Sequence, residues 1–362
     1  MSVVKRLDKI PPPGFETHKL GPQFIPCITW TGIVHRGIDE FFDGRLVTLE
    51  MENIPVPVSK YWEFDFKQDG EARLKCPSGY KWMLAYSRLP FKYPIYTVST
   101  KLPRNIAYPQ FIALGLEADG YVGPGSAAFL FSYTEATGHY IYAGAGGDWG
   151  IKWVYLPGAL PSDFDTKRHN YTIVVLKPWI EFYIDSKLVA IFINSPGSEF
   201  DTIDYPPYAI APAKGFVSPS MLALLEIHGN GSELTWNVHP AWVRVFEGEP
   251  LPPRVFRPYV KGTDTTIDSK YTVSSGNIES HPVPVFGYSS KTIYFRASVD
   301  GTLRIYVLRQ ASPNEWSEYD SVSVTSGDLI KYIMTGDAVL LKLIFEPASY
   351  PAYADVCEVV MR

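Results

Sequence analysis

The sequence predicts an all-β chain built as two β-sandwiches in series, a larger jelly roll followed by a smaller sandwich. Three observations carry that expectation. Nothing in the chain reads as a long amphipathic helix; short alternating runs punctuated by Gly, Pro, Asn and Asp dominate instead. Residues 169–194 (HNYTIVVLKPWIEFYIDSKLVAIFIN) read as three consecutive antiparallel strands. A Pro-rich run at 249–253 (EPLPP) then separates two blocks of strand patterns.

Taken in order, residues 1–24 form a Pro-rich arm, with Pro11, Pro12, Pro13 and Gly14 followed by Gly21 and Pro22, expected to be extended or packed on something else. Residues 25–248 form the large sandwich and close with the strand AWVRVFEG at 241–248. Within it, Phe129, Phe131 and Tyr133 alternate onto one face of a strand, and Tyr140 and Tyr142 onto one face of the next. Gly144, Gly146 and Gly147 then suit a hairpin or bulge, and Trp149 and Trp153 follow. In the 169–194 stretch, Tyr171, Ile173 and Val175 alternate with Asn170 and Thr172 until Lys177-Pro178 breaks the run. Ile180, Phe182 and Ile184 alternate with Glu181, Tyr183 and Asp185, and Asp185-Ser186-Lys187 turns the chain into LVAIFIN. The run SMLALLEIH at 220–228 suits a short helix or a buried strand equally.

The stiff linker at 249–253 leads to a second β-domain, 254–362. There KTIYFRASVDGTLRIYVLR (291–309) is expected to pair two strands across Asp300-Gly301, a strong hairpin signal. Ser326-Gly327-Asp328 and Thr335-Gly336-Asp337 mark further turns.

Composition narrows the classes. A hydrophobic content of 46% supports a sizeable core, and no run of about 18 uncharged apolar residues suggests a transmembrane helix. The N-terminus MSVVKRLDKIPPPGFE has basic residues but no apolar stretch of a standard secretory signal. Net charge is −5, with no basic cluster interleaved with aromatics, so nucleic-acid binding is not expected. Cys27, Cys76 and Cys357 lack C-x-x-C spacing, which disfavours a zinc site; a Cys27–Cys76 bridge and buried free thiols both stay open. Four glutamines and eight asparagines against 31 prolines suggest a thermophilic source. No cofactor and no metal are expected.

The 169–194 meander resembles one in the concanavalin A-like lectin, laminin G and glucanase superfamily. There a His-x-Tyr strand, here His169-Asn170-Tyr171, leads into a strand ending Phe-Tyr-x-Asp, here Phe182-Tyr183-Ile184-Asp185, then a hairpin and a return strand. The resemblance implies a concanavalin A-like sandwich over 25–248, built to present a curved face to sugars, with His169 structural. The C-terminal domain looks like the small β-modules of virion spikes, tail fibres and extracellular enzymes.

Catalytic candidates thin out on inspection. Glucanases of this superfamily carry Glu-x-Asp-x-x-Glu on one strand; Glu63 and Asp65 match the first two positions, but the third falls on Gln68, which cannot titrate. Glu117 and Asp119 share one side of a strand end and would suit acid–base work or a calcium ion, yet the Gly-rich stretch after them reads as a turn with solvated carboxylates. His139, His169, His228, His239 and His281 have no local carboxylate or Cys partner at ligand spacing. The sequons at Asn170 and Asn230 are read as chance.

Aromatic residues suggest more. Flat rings match the apolar faces of pyranoses, and nearby polar side chains read hydroxyls, so Tyr140, Tyr142, Asp148, Trp149 and Trp153 form the candidate carbohydrate site. The expectation is therefore a non-enzymatic protein: a virion-surface turret, spike or tail component of a virus of a thermophilic host. It would form a homo-oligomer, contact other virion subunits through the 1–24 arm, and bind a glycan or host receptor without inserting into a membrane. The alternatives are a carbohydrate-active enzyme, a glycoside hydrolase or polysaccharide lyase with an accessory β-module, and an extracellular or cell-surface component. The enzyme requires a suitable pair of carboxylates, about 5–10 Å apart.

Overall fold

The computed structural model describes residues 90–118, 125–147, 150–194, 202–205, 208–230, 232–248 and 270–362, residue 78, and short strands at 37–38, 49–50, 62–65, 71–76, 82–87, 254–256, 260–261 and 266–267. Among them there is no helix. They fall into two compact units, one carrying the strands up to residue 248 and one carrying those from 254 onward.

The first unit runs β1 (Gly37–Ile38), β2 (Leu49–Glu50), β3 (Trp62–Asp65), β4 (Glu71–Cys76), β5 (Trp82–Ser87), β6 (Phe91–Lys92), β7 (Pro94–Thr100), β8 (Phe111–Glu117) and β9 (Ala127–Thr134). It continues with β10 (Gly138–Ala145), β11 (Lys152–Tyr155), β12 (His169–Val175), β13 (Trp179–Ile184), β14 (Lys187–Ile193), β15 (Ile203–Tyr205), β16 (Tyr208–Pro212), β17 (Ser220–His228) and β18 (Leu234–Glu247). Two sheets result. One has the order β15-β16-β14-β13-β12-β7-β18-β4-β3, with β1 on β18; the other is β11-β10-β9-β8-β17-β5-β2, with β6 on β17. The sandwich expected from alternation is present, and the meander is its centre: β12, β13 and β14 pair antiparallel in sequence.

The meander turn sits at Asp185 and Ser186, with φ of 47° and 68°. Two consecutive left-handed residues are what a two-residue hairpin needs, and Asp tolerates the region better than most side chains. The Asp185 carboxylate secures the corner by accepting the Asn170 N–H at 2.8 Å.

The two sheets meet through rings. Phe129 on β9 stands edge-on to Tyr171 and Phe182 of the opposite sheet, with centroids 5.7 and 5.1 Å apart, and Phe182 meets Phe192 at 5.4 Å. Such edge-to-face pairs each contribute roughly 0.5–1.5 kcal/mol beyond their buried area. Tyr96 on β7 crosses the core and donates its hydroxyl to the Leu224 carbonyl on β17 at 3.1 Å. Burial pushes its phenol well above the usual range.

The other face of the first sheet is buried as well, which the alternation did not foresee. All six residues of β13 are buried. Glu181 lies there, fully buried, accepting the Trp179 indole N–H and the Tyr183 hydroxyl, each at 2.8 Å. Alternation along the strand places these three side chains on one face, so the local sequence supplies two donors for the carboxylate.

The second unit comprises β19 (Arg254–Phe256), β20 (Val260–Lys261), β21 (Thr266–Ile267), β22 (Lys270–Val273), β23 (Ile278–Ser280), β24 (Val283–Pro284), β25 (Ser290–Ala297), β26 (Gly301–Arg309), β27 (Ser312–Val324), β28 (Ile330–Thr335), β29 (Leu340–Pro347) and β30 (Ala352–Met361). Its sheets are β21-β22-β30-β25-β28, with β19 on β30, and β20-β23-β29-β26-β27, with β24 on β29. Here the hairpin expected at Asp300-Gly301 is corrected: β25 and β26 belong to different sheets. Asp300 serves as a corner instead, its carboxylate accepting the Ser326 N–H at 2.7 Å and its carbonyl the Ala348 N–H at 2.8 Å. The ambiguous 220–228 run is strand β17. Cys76 and Cys357 are buried free thiols; Cys27 lies outside the described residues, as do the 1–24 arm and the 249–253 linker.

Candidate functional site

The second sheet sets β11, β10, β9, β8 and β17 side by side. Ile112, Leu114, Phe129, Phe131, Ile141, Leu225 and Ile227 point into the core, so the intervening residues form the sheet's outer face. Strand register aligns these in rows. Tyr142, Leu130, Ala113 and Glu226 make one row, and Tyr140, Ser132, Phe111 and His228 the next. Each row crosses three strand spacings, about 14 Å.

Aromatic rings occupy the β10–β11 end. Tyr140 and Tyr142 stand at 5.3 Å in an edge-to-face pair, and Tyr155 on β11 meets Tyr142 at 5.6 Å and Tyr140 at 6.5 Å. Trp153 pairs with Gly144 in register. Its ring lies over that glycine so closely that an added Cβ would fall 2.3 Å from Trp153 Cε3. Thus Tyr140 and Tyr142 share one face, as their alternation implies, and pairing with Gly144 brings Trp153 to it, while Asp148 and Trp149 lie outside the described residues. Tyr155, 44% exposed, belongs to the same group. Its position two residues beyond Trp153 on a strand was the available signal.

At the other end sits a pair the local spacing search did not find. Glu226 and His228, two residues apart on β17, turn the same way, and His228 Nε2 contacts Glu226 Oε1. The carboxylate side chain is 4% exposed and the imidazole 22%. The His228 ring stacks on Phe111 at 3.7 Å with 19° between planes. A buried carboxylate and a stacked ring fix the orientation of an imidazole that reaches solvent, a geometry open to proton transfer. The reading of His228 as lacking a carboxylate partner is corrected: an i, i+2 search along a strand finds Glu226.

The remaining carboxylates are dispersed. Glu63 and Asp65 lie on β3 at the rim of the first sheet, opposite Arg73 and Glu71. Glu181 is on the first sheet. Glu117 is fully buried on the outer face of the second sheet, opposite Leu222, rather than solvated in a loop; Asp119 lies outside the described residues. Glu117 and Glu226 share a face but stand four residues apart along paired strands, about 13 Å. Among the described residues no group of three or more His, Cys, Asp or Glu could hold a metal ion.

His169 is a clasp. Its Nδ1 stands 2.5 Å from Asp185 Oδ2 and its Nε2 3.0 Å from Asp163 Oδ1, joining the loop after β11 to the β13–β14 turn. Lys167 Nζ pairs with Asp163 at 2.8 Å, and this hydrogen bond holds the Asp163 carboxyl below the usual carboxylate range. His139 is also structural, with Nε2 2.9 Å from the Arg104 carbonyl and its ring packed near Phe131 and Phe164.

No family model and no curated protein matches the chain. Among solved structures it is similar to the β-glucanase of Bacillus licheniformis, at 12% identity and a TM-score of 0.39, over 57% of this chain and 95% of that one. It is similar to the laminarinase catalytic domain of Thermotoga maritima at 13% and 0.39, over 59% and 97%. It is similar also to the kappa-carrageenase of Pseudoalteromonas carrageenovora at 13% and 0.31, over 55% and 94%. The glucanase-type sandwich expected from the meander agrees with these likenesses. The expectation of a non-enzymatic virion-surface component is corrected: the similar structures are a glucanase, a laminarinase catalytic domain and a carrageenase.

Proposed function

We propose that the chain is a carbohydrate-active enzyme that binds a polysaccharide with the tyrosines at one end of the second sheet and cleaves it by general acid–base catalysis. The observation that carries this reading is the Glu226–His228 pair, set about 14 Å from the tyrosines along shared rows of one face. Tyr140, Tyr142, Tyr155 and Trp153 supply ring faces for pyranose stacking. His228 is the proton-transfer group, since its ring keeps solvent access, and Glu226 is the positioning residue that orients the imidazole. Phe111 restrains the ring's other freedom by stacking.

The test is a panel of neutral and acidic polysaccharides incubated with the intact protein. New reducing ends report any cleavage, and ultraviolet absorbance of unsaturated sugars reports elimination alone. A positioned acid–base group contributes roughly 10²–10⁴-fold, so His228→Ala is expected to lose at least about 100-fold in kcat. Glu226→Gln should shift the pH profile as well as lower kcat, whereas Tyr142→Ala should act on KM. Cleavage that survives His228→Ala unchanged, or no cleavage of any polymer in the panel, refutes the proposal.

A further inference from the structure

Beside the aromatic end of that face the first unit holds a cleft of about 410 Å³, between the segment 155–161 and strands β13, β14 and β16. Tyr155, Pro157 and Pro161 line one side and Val189 and Tyr208 the other, with Asp185 and Lys187 as the charged groups. A cleft of this size, mostly apolar and carrying a few polar groups, is the usual form of a small-molecule site. Tyr155 lines the cleft and also contacts Tyr142 of the tyrosine cluster.

Charge defines the occupant. Asp185 is engaged by His169, and Asp163 by His169 and Lys167, so both carboxylates already have partners. Arg104 and Asp165 pair separately at 2.8 Å. Lys187, exposed at the start of β14, is left as the cation of the cleft without a carboxylate among the described residues. We propose that the cleft is a subsite for a single acidic sugar residue, with its ring against Tyr155 and its carboxylate or sulfate on Lys187. The inference rests on the polysaccharide reading for the class of ligand, and it deepens that reading by giving the substrate an acidic residue at the tyrosine end.

Saturation-transfer NMR and calorimetry on the full chain, with glucuronic acid, galactose 6-sulfate and methyl β-glucoside as probes, test it. The two acidic sugars separate carboxylate from sulfate, and the neutral glycoside measures the contribution of charge. A partly exposed ion pair corresponds to about two- to fivefold in affinity. Acidic over neutral preference of that size is therefore expected, lost in Lys187→Gln, kept in Lys187→Arg, and abolished when Ala159→Trp fills the cleft from the loop side. Equal affinity for acidic and neutral sugars, no binding of any, or an unchanged preference in Lys187→Gln overturns the inference. Acidic sugars that bind through Lys187 while every polymer stays uncut would keep the subsite and remove only the catalytic function.

Discussion

Three glycines of the second sheet give a graded test of how tightly it is built. At Gly138 an added methyl meets nothing within 4 Å, but φ is +70°, so Gly138→Ala should cost only the backbone penalty, about 1–2 kcal/mol. At Gly144 the methyl would sit 2.3 and 2.6 Å from the Trp153 ring and 2.8 Å from Ile151 Cγ2. Carbon contacts settle at roughly 3.5–4.0 Å, so the ring must retreat by about 1 Å or more. Overpacking of this kind costs about 1–3 kcal/mol. Because the obstacle is a side chain, the displacement should fall on Trp153 and on sugar affinity rather than on the whole fold. At Gly115 the obstacles are the Ala127 carbonyl oxygen at 2.4 Å and Ala128 Cα at 2.7 Å, both main chain. Neither can turn aside, and Gly115→Ala should cost more than about 3 kcal/mol. Urea unfolding followed by hydrogen exchange at the β12–β14 amides reports on the first unit alone and ranks the variants. A Gly144→Ala protein as stable as the parent, with unchanged polysaccharide affinity, would refute the packing argument; so would a Gly115→Ala protein no worse than Gly138→Ala.

Two further outcomes follow from burial and charge. Burial pushes the Cys357 thiol up to about 12 and raises that of Cys76, so neither should react with a disulfide reagent in the native protein, and both should do so on unfolding; peptide mapping after labelling checks this. The Asp163 carboxyl is depressed in the folded state, chiefly by the Lys167 hydrogen bond, so its contribution is complete above the unfolded value near ~3.9 and is lost as pH falls through the folded value. Protection of the amides of residues 157–168, measured against the intrinsic exchange rate at each pH, should therefore fall on acidification below that point, and Asp163→Asn should flatten the dependence.

What could be read from the sequence tracks the number of faces a strand buries. The 169–194 meander was legible because its turns are chemically marked and its inward residues alternate. β17 was ambiguous because Met221 to Ile227 are buried or nearly so on both sides, which erases the period of two. Asp300-Gly301 misled because a turn signal states that the chain reverses, not which sheet receives it. Among the candidate aromatic residues, Tyr140 and Tyr142 share a face as their alternation implies, while Trp153 reaches it only through strand pairing with Gly144. Glu226 and His228 carry no ligand spacing, and only a same-face reading two residues along a strand brings them together. No local pattern reveals that Phe111, more than a hundred residues earlier, supplies the stacking surface, since only strand register brings it there.

The bond from the Tyr96 hydroxyl to the Leu224 carbonyl has a mechanical consequence. β17 is already flanked by β8 and β5 within its own sheet, and this strut ties it to β7 of the other. Leu224 lies two residues before Glu226, so a lateral push on His228 by a bound chain meets resistance from both layers. Sliding of one sheet over the other, the soft motion of a sandwich, is braced at the strand where force from a polymer would arrive.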